Sequence, residues 1–149
     1  MIIKSLDQLN QVTLRIIKKI NNEDCILLFG EIGTGKTTLT RALINNLQNQ
    51  NQQVETEVLS PTFNIIYEYE ISELKIMHYD LYRLKTEKDV QQLGIFDQSA
   101  KSIKVIEWAE IIKDKPDNRL EVYISYEKEQ DMRKVDFKGF GAWKEFNAI

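Results

Sequence analysis

The stretch Cys25-Ile26-Leu27-Leu28-Phe29-Gly30-Glu31-Ile32-Gly33-Thr34-Gly35-Lys36-Thr37-Thr38 decides the fold. Five consecutive apolar residues suit a strand buried on both faces, as in the middle of a parallel sheet. The eight residues that follow, Gly30-x-x-x-x-Gly35-Lys36-Thr37, satisfy the Walker A pattern in full. From Thr37 to about Asn49 the chain reads as a helix with Leu39, Leu43 and Leu47 on one side. A chance glycine-rich turn is the competing explanation, but it would not require a buried strand before it and a helix after it.

Each residue type in the loop has a physical reason. Gly30, Gly33 and Gly35 tolerate positive φ, which lets the N–H groups of Glu31, Ile32, Thr34 and their neighbours converge on one anion. The N-terminus of the following helix adds partial positive charge beneath it. Lys36 brings a mobile charge to β- and γ-phosphates, the Thr37 hydroxyl suits magnesium, and Thr38 lies within reach of an α-phosphate. The expectation is a nucleoside triphosphate bound with Mg2+ and hydrolysed.

Upstream, Ser5-Leu6-Asp7-Gln8 has the form of a capping box, and Leu6, Leu9, Thr13, Ile16, Ile17 and Ile20 recur at helical spacing up to Asn21-Asn22. Downstream, Gln48 to Gln53 reads as a solvated loop and Ser60-Pro61 as the break in a short strand. Phe63 to Ile71 and Leu74 to Leu81 read as an antiparallel hairpin turning at Ser72-Glu73. Glu87 to Leu93 forms a short helix closed by Gly94. Ile103 to Ile106 is a second buried strand, and Leu120 to Tyr126 with Arg133 to Phe137 forms another hairpin beyond a turn at Pro116-Asp117-Asn118. The pattern predicts one α/β domain over residues 1–149, a three-layer phosphate-loop fold around a mixed parallel and antiparallel sheet.

Such a site also needs a carboxylate at the end of a neighbouring strand, to hold magnesium directly or through water. Asp80 ends the mixed run Lys75-Ile76-Met77-His78-Tyr79, whereas Glu107 ends the more continuously apolar Ile103-Lys104-Val105-Ile106. The pattern favours Glu107 for the metal. Asp80 is left to orient an attacking water or to bond Arg83. Thr62, in Ser60-Pro61-Thr62, stands either as a sensor of the third phosphate or as an ordinary turn residue. His78, the chain's one histidine, reads as a sheet residue with no second imidazole to share a metal.

Composition narrows the setting. Hydrophobic residues at 42% and charged residues at 29% fit a globular protein with a substantial core. No apolar run approaches the ~18–20 residues a membrane span needs, and Met1-Ile2-Ile3-Lys4 passes directly into a polar helix pattern, so neither a span nor a signal peptide is expected. A single cysteine, Cys25, excludes an internal disulfide and a cysteine-built zinc site, which fits the cytoplasm. A net charge of -3 argues against gripping DNA or RNA unaided, though not against working on RNA within an assembly.

Four blocks in order, Gly30 to Thr38, Ser60-Pro61-Thr62-Phe63, Asp80-Leu81-Tyr82-Arg83-Leu84 and Ile106-Glu107-Trp108, together with Gly94-Ile95, resemble the bacterial TsaE ATPases (also known as YjeE) of tRNA threonylcarbamoyladenosine synthesis. The resemblance runs from about residue 24 to 110 and is less distinctive at both ends. It implies a compact phosphate-loop fold, ATP as the nucleotide, Thr37 and Glu107 as magnesium ligands, and Thr62 and Asp80 as contributors to hydrolysis. It further implies action with the TsaD and TsaB proteins, which modify the adenosine beside the anticodon, so that tRNA is met only through that complex and ATP turnover resets it. Trp108, in the matched Glu-Trp block, stands either as a lining residue or as a packed strand-end side chain; Arg133, late in the chain, either touches the nucleotide or is solvated.

Two other classes share the loop. A small-molecule kinase normally closes an arginine-rich lid over the phosphates, and Arg83, Arg119 and Arg133 are scattered instead. A GTPase is disfavoured by the lack of Asn-Lys-x-Asp. A nucleotide-gated binding module without meaningful turnover differs from an ATPase mainly in rate.

Overall fold

The computed structural model describes residues 1–97, 101–129 and 131–149. Its centre is the anticipated strand, β2 (Cys25–Phe29), buried along its whole length. Before it come β1 (Ile2–Ile3) and α1 (Leu6–Ile17); after it come α2 (Lys36–Gln50), β3 (Ile66–Ile71), β4 (Leu74–Asp80), α3 (Glu87–Gln92), β5 (Ile103–Glu107), β6 (Arg119–Tyr126) and β7 (Arg133–Phe140). The strands form one sheet in the order β1-β7-β6-β2-β5-β4-β3. β4, β5, β2 and β6 run parallel, and antiparallel pairings add β3 at one edge and β7 then β1 at the other. The sheet is therefore mixed, as expected.

Side chains alternate along β2 and so divide the core. Ile26 and Leu28 face α1 and α2 with Leu39, Leu43 and Ile44, while Cys25, Leu27 and Phe29 face α3 and the segments around Ile95 and Ile112. A strand clothed on both faces must be apolar throughout, which is why Cys25 to Phe29 contains no polar break. Burial pushes the Cys25 thiol up to about 12. Among the described residues no helix is long and apolar enough to cross a membrane.

The departures from the expected boundaries have local causes. Ser5 caps α1 by accepting from the Gln8 amide at 3.3 Å, but the Gln8 side chain accepts from the Lys4 amide at 2.7 Å rather than from Ser5. The helix ends at Ile17, ahead of Asn21, and buries Val12 with Leu9, Thr13, Ile16 and Ile17; Leu6 is 67% exposed and flanks a cavity beside the glycine loop. Gln48, Asn49 and Gln50 belong to α2 instead of a loop.

The buried Gln48 explains the segment that follows. Its amide donates to Thr56 Oγ1 at 2.9 Å and accepts from the Thr56 amide at 3.1 Å. Asn45 reaches the Thr56 carbonyl at 3.0 Å, and Arg41 the Val58 carbonyl at 3.0 Å. Side chains of α2 thus satisfy backbone groups that a strand would have paired, and residues 53–60 form no strand. The hairpin begins at Ile66 rather than Phe63, because the Ile65 amide closes a turn onto the Pro61 carbonyl. The two-residue β1 is too short to carry a period, so no pattern in the sequence marks it.

A thiol this deeply placed should be inert. Ellman's reagent is expected to modify Cys25 in denaturant and to leave it unmodified over hours in the folded protein; prompt labelling under native conditions would show that the α3 face of the sheet opens readily.

Candidate functional site

The glycine loop leaves β2 with Gly30 pressed against β6: a Cβ at Gly30 would stand 2.4 Å from the Ile124 carbonyl oxygen, so only glycine passes. Gly35 caps α2 at φ +108, a conformation that side chains resist and that turns the loop into the helix. Contacts from outside brace the loop. Glu110 accepts from the Gly30 amide at 3.0 Å, the Tyr126 hydroxyl donates to the Ile32 carbonyl at 2.5 Å, and Arg133 Nε donates to the Thr34 carbonyl at 3.1 Å. The Arg133 guanidinium also lies over the Tyr126 ring, 4.7 Å from its centroid.

Lys36 is folded back across the loop. Its ammonium donates to the Gly30 and Glu31 carbonyls at 2.7 and 2.9 Å and sits 3.9 Å from the Trp108 ring centroid. Burial lowers its pKa below the usual lysine value, and the carboxylates of Glu107, Glu110 and Asp80 act in the opposite direction. Trp108, at φ +59, and Tyr82 meet ring to ring at 4.9 Å and wall one side of the same space.

The two candidate carboxylates end adjacent parallel strands, and the register pairs Asp80 directly with Glu107. β5 lies between β2 and β4, so Glu107 occupies the more central position and meets the first turn of α2, where the Thr37 hydroxyl donates to its Oε1 at 2.7 Å. Asp80 points to the segment before β3: its Oδ2 accepts from Ser60 at 2.5 Å and from Thr62 at 3.0 Å, and its Oδ1 from the Tyr82 amide at 2.9 Å. It makes no bond to Arg83. Arg83 turns away to the Phe63 carbonyl at 3.1 Å and lies over the Phe63 ring.

All four sequence blocks thereby meet at one cleft of about 350 Å³, lined by Gly35, Lys36, Thr37, Thr62, Asp80, Glu107 and Trp108. A second cavity, about 370 Å³, opens on the other side of Gly33 and Gly35, between Ile3, Leu6 and Leu9 and the late residues Val135 and Arg133; Thr38 borders both. Arg133 is therefore docked on the loop. Glu31 and Ile32 are exposed at the loop tip.

Three residues of this neighbourhood carry little or no signal of a role in the sequence. Glu110 lies in the short 3-10 turn Ala109–Ile111, which no periodicity marks. Tyr82 sat inside a matched block without a task. His78 was legible only as an imidazole in an otherwise buried strand; its Nε2 stands 2.5 Å from Glu107 Oε2.

A buried parallel strand, a glycine loop and a helix N-terminus facing strand-end carboxylates place the chain in the phosphate-loop class of α/β proteins. The family model described as threonylcarbamoyl adenosine biosynthesis protein TsaE matches residues 3–135, and the chain belongs to that family. The tRNA threonylcarbamoyladenosine biosynthesis protein TsaE of Rickettsia felis is 34% identical over 113 residues, covering 76% of this chain and 64% of the relative, so the chain spans less than two thirds of that protein. The Aquifex aeolicus protein of the same description is 32% identical over 133 residues, covering 89% and 92%. In fold, the chain resembles the crystal structure of YdiB from Bacillus subtilis, with a TM-score of 0.70, 22% identity, and coverage of 97% of this chain and 87% of that one.

Asp80 ties residues 60–62 to the end of β4, so Asp80→Ala should free that segment while the sheet persists. Hydrogen–deuterium exchange across residues 58–66 is expected to rise about tenfold or more, the equivalent of roughly 1.4 kcal/mol of lost hydrogen bonding, with β2 unchanged. Equal protection in the variant would remove Asp80 as the anchor.

Proposed function

We propose that this chain binds ATP with magnesium at the glycine loop, hydrolyses it slowly, and serves the formation of threonylcarbamoyladenosine in tRNA together with TsaD and TsaB, reaching tRNA only through them. The observation that carries the proposal is the convergence of Lys36, Thr37, Thr62, Asp80 and Glu107 on one cleft beside the loop amides. The partner assignment rests on family membership and on the descriptions of the relatives.

The residues fit a magnesium ion. Thr37 Oγ1 and Glu107 Oε1 lie 2.7 Å apart, two hard oxygen donors with Asp80 on the adjoining strand. Magnesium sites of this kind use one or two protein oxygens and leave the rest to phosphates and water. The bound ion would neutralise charge on the β- and γ-phosphates. In this reading Lys36 exchanges its two carbonyl partners for phosphate oxygens, the loop amides and the α2 N-terminus hold the β-phosphate, and Thr38 meets the α-phosphate. The apolar cavity formed by Ile3, Leu6 and Leu9 receives the adenine, with Arg133 at its side.

Asp80 and Thr62 act on the far side of the γ-phosphate. The Asp80 carboxylate holds the Thr62 hydroxyl and so sets the segment that faces the third phosphate; it is also the acceptor in the cleft best placed to orient an attacking water. Slow turnover follows from the cations present. Lys36 lines the cleft, but Arg83 is engaged with Phe63 and Arg133 borders the other cavity, so neither stands where an arginine finger would.

The test combines a nucleotide-binding titration, a steady-state ATPase assay with and without TsaD–TsaB, and nucleoside mass spectrometry of tRNA from depleted cells. Lys36→Ala should abolish binding and fail to restore threonylcarbamoyladenosine. Asp80→Asn should retain ATP within a few-fold yet lose about 10²-fold or more in kcat, whereas Glu107→Gln should lose both kcat and about tenfold or more of the affinity gained from Mg2+. Adding TsaD–TsaB should accelerate the wild type. Full complementation by a variant that binds but cannot hydrolyse would instead favour a nucleotide-gated binding module.

A further inference from the structure

Glu107 is held at both of its oxygens. Oε1 accepts from Thr37 at 2.7 Å, and Oε2 lies 2.5 Å from His78 Nε2. The pair is sealed from solvent, with side-chain exposures of 0% for His78 and 3% for Glu107. His78 is on β4 two residues before Asp80, so it presents the same face of the sheet as Asp80, and the carboxylate leans back from the end of β5 to meet it. We propose that His78 is a positioning residue for Glu107, donating Nε2–H to Oε2 so that Oε1 is presented to Thr37 and the magnesium position; the role rests on the nucleotide-binding reading above.

The terminal torsion of a glutamate is broad and nearly two-fold, so a carboxylate with one partner swings easily between orientations. Donors on two sides fix its plane, which a metal ligand requires if coordination is not to be preceded by reorganisation. The tautomer follows from the contacts. A carboxylate bonded to the Thr37 hydroxyl and the imidazole has only lone pairs to offer, so the hydrogen between His78 and Glu107 belongs to Nε2. His78 Nδ1 is buried with no hydrogen-bond partner among the described residues. With the hydrogen on Nδ1 instead, the chain would bury an orphaned N–H there and set two bare acceptors against each other at Nε2. An imidazole with one unsatisfied nitrogen is a costly filler for a core that Leu or Ile could complete. Its retained bond to Glu107 is the compensation.

The wild type tests this directly, since the chain contains one histidine. A long-range 1H–15N spectrum of the 15N-histidine-labelled protein should show a protonated Nε2 and a bare Nδ1. The opposite tautomer, or rapid averaging of the two, overturns the proposal. A second measurement compares the affinity of a fluorescent non-hydrolysable ATP analogue in Mg2+ and in EDTA. His78→Leu should bind as the wild type does in EDTA but lose about tenfold or more of the gain from Mg2+, and His78→Gln, whose amide can donate to Oε2, should recover most of it. Should His78→Leu not fold, His78→Asn, too short to reach Oε2, takes its place with the same expectation. Wild-type magnesium gain in the variants that cannot donate would also overturn the role. Failure of the wild-type protein to bind the analogue under either condition would strike the nucleotide reading instead, and the tautomer result stands apart from it.

Discussion

The contact between the Thr37 hydroxyl and the Glu107 carboxylate joins the two halves of this molecule. Thr37 belongs to the first turn of α2, directly after the glycine loop, and Glu107 to the last residue of the strand beside β2. The bond forms only if β5 is parallel to β2 in the register that sets Leu28 against Glu107, and if Gly35 turns the chain at φ +108. Sheet order, register, loop conformation and helix start are therefore conditions on a single 2.7 Å hydrogen bond.

The rest of the site is arranged outward from it. β4 adds Asp80 one strand further along, and Asp80 gathers Ser60, Thr62 and the Tyr82 amide. The loop that supplies Ser60 and Thr62 has no secondary structure of its own, yet it is secured at both ends, by Gln48, Asn45 and Arg41 of α2 on one side and by Asp80 on the other. Such a segment can respond to a change at the cleft while the sheet persists, because it is held by side-chain hydrogen bonds and not by ladder pairing with a strand. The buried pair His78–Glu107, which Thr37 meets from the cleft side, has the opposite character: sealed, with the carboxylate bonded at both oxygens, it resists rearrangement.

The cleft walls differ in kind. Toward β4 and β5 they are acidic and hydroxyl-rich, suited to a metal and to water; toward Trp108 and Tyr82 they are aromatic. The Trp108 ring lies against the Lys36 ammonium, which keeps that charge at the loop while burial and three carboxylates act on it in opposing directions. On the other side of the loop, Arg133 performs a comparable bracing task from β7, a strand the chain reaches ninety-nine residues after Thr34.

What the sequence determined by itself was whatever depends on neighbours along the chain. Cys25 to Phe29 had to be a central strand because no polar residue interrupts it, and Gly30 to Thr38 had to be a tight loop opening a helix because glycines and a helix start stand at the required spacing. The hairpin turning at Ser72-Glu73, the helix before Gly94 and the strand ending at Glu107 were legible for the same reason. The tertiary structure alone decided what depends on distant partners. It made α2 continue through Gln48, because Thr56 satisfies that amide in the interior, and it removed the strand before Ser60, because α2 side chains occupied its backbone. It turned Arg83 away from Asp80, brought Glu110 and Arg133 to the loop, and set His78 against Glu107. Hydrogen bonds between residues tens of positions apart obey no period, so the pattern of a sequence does not record them.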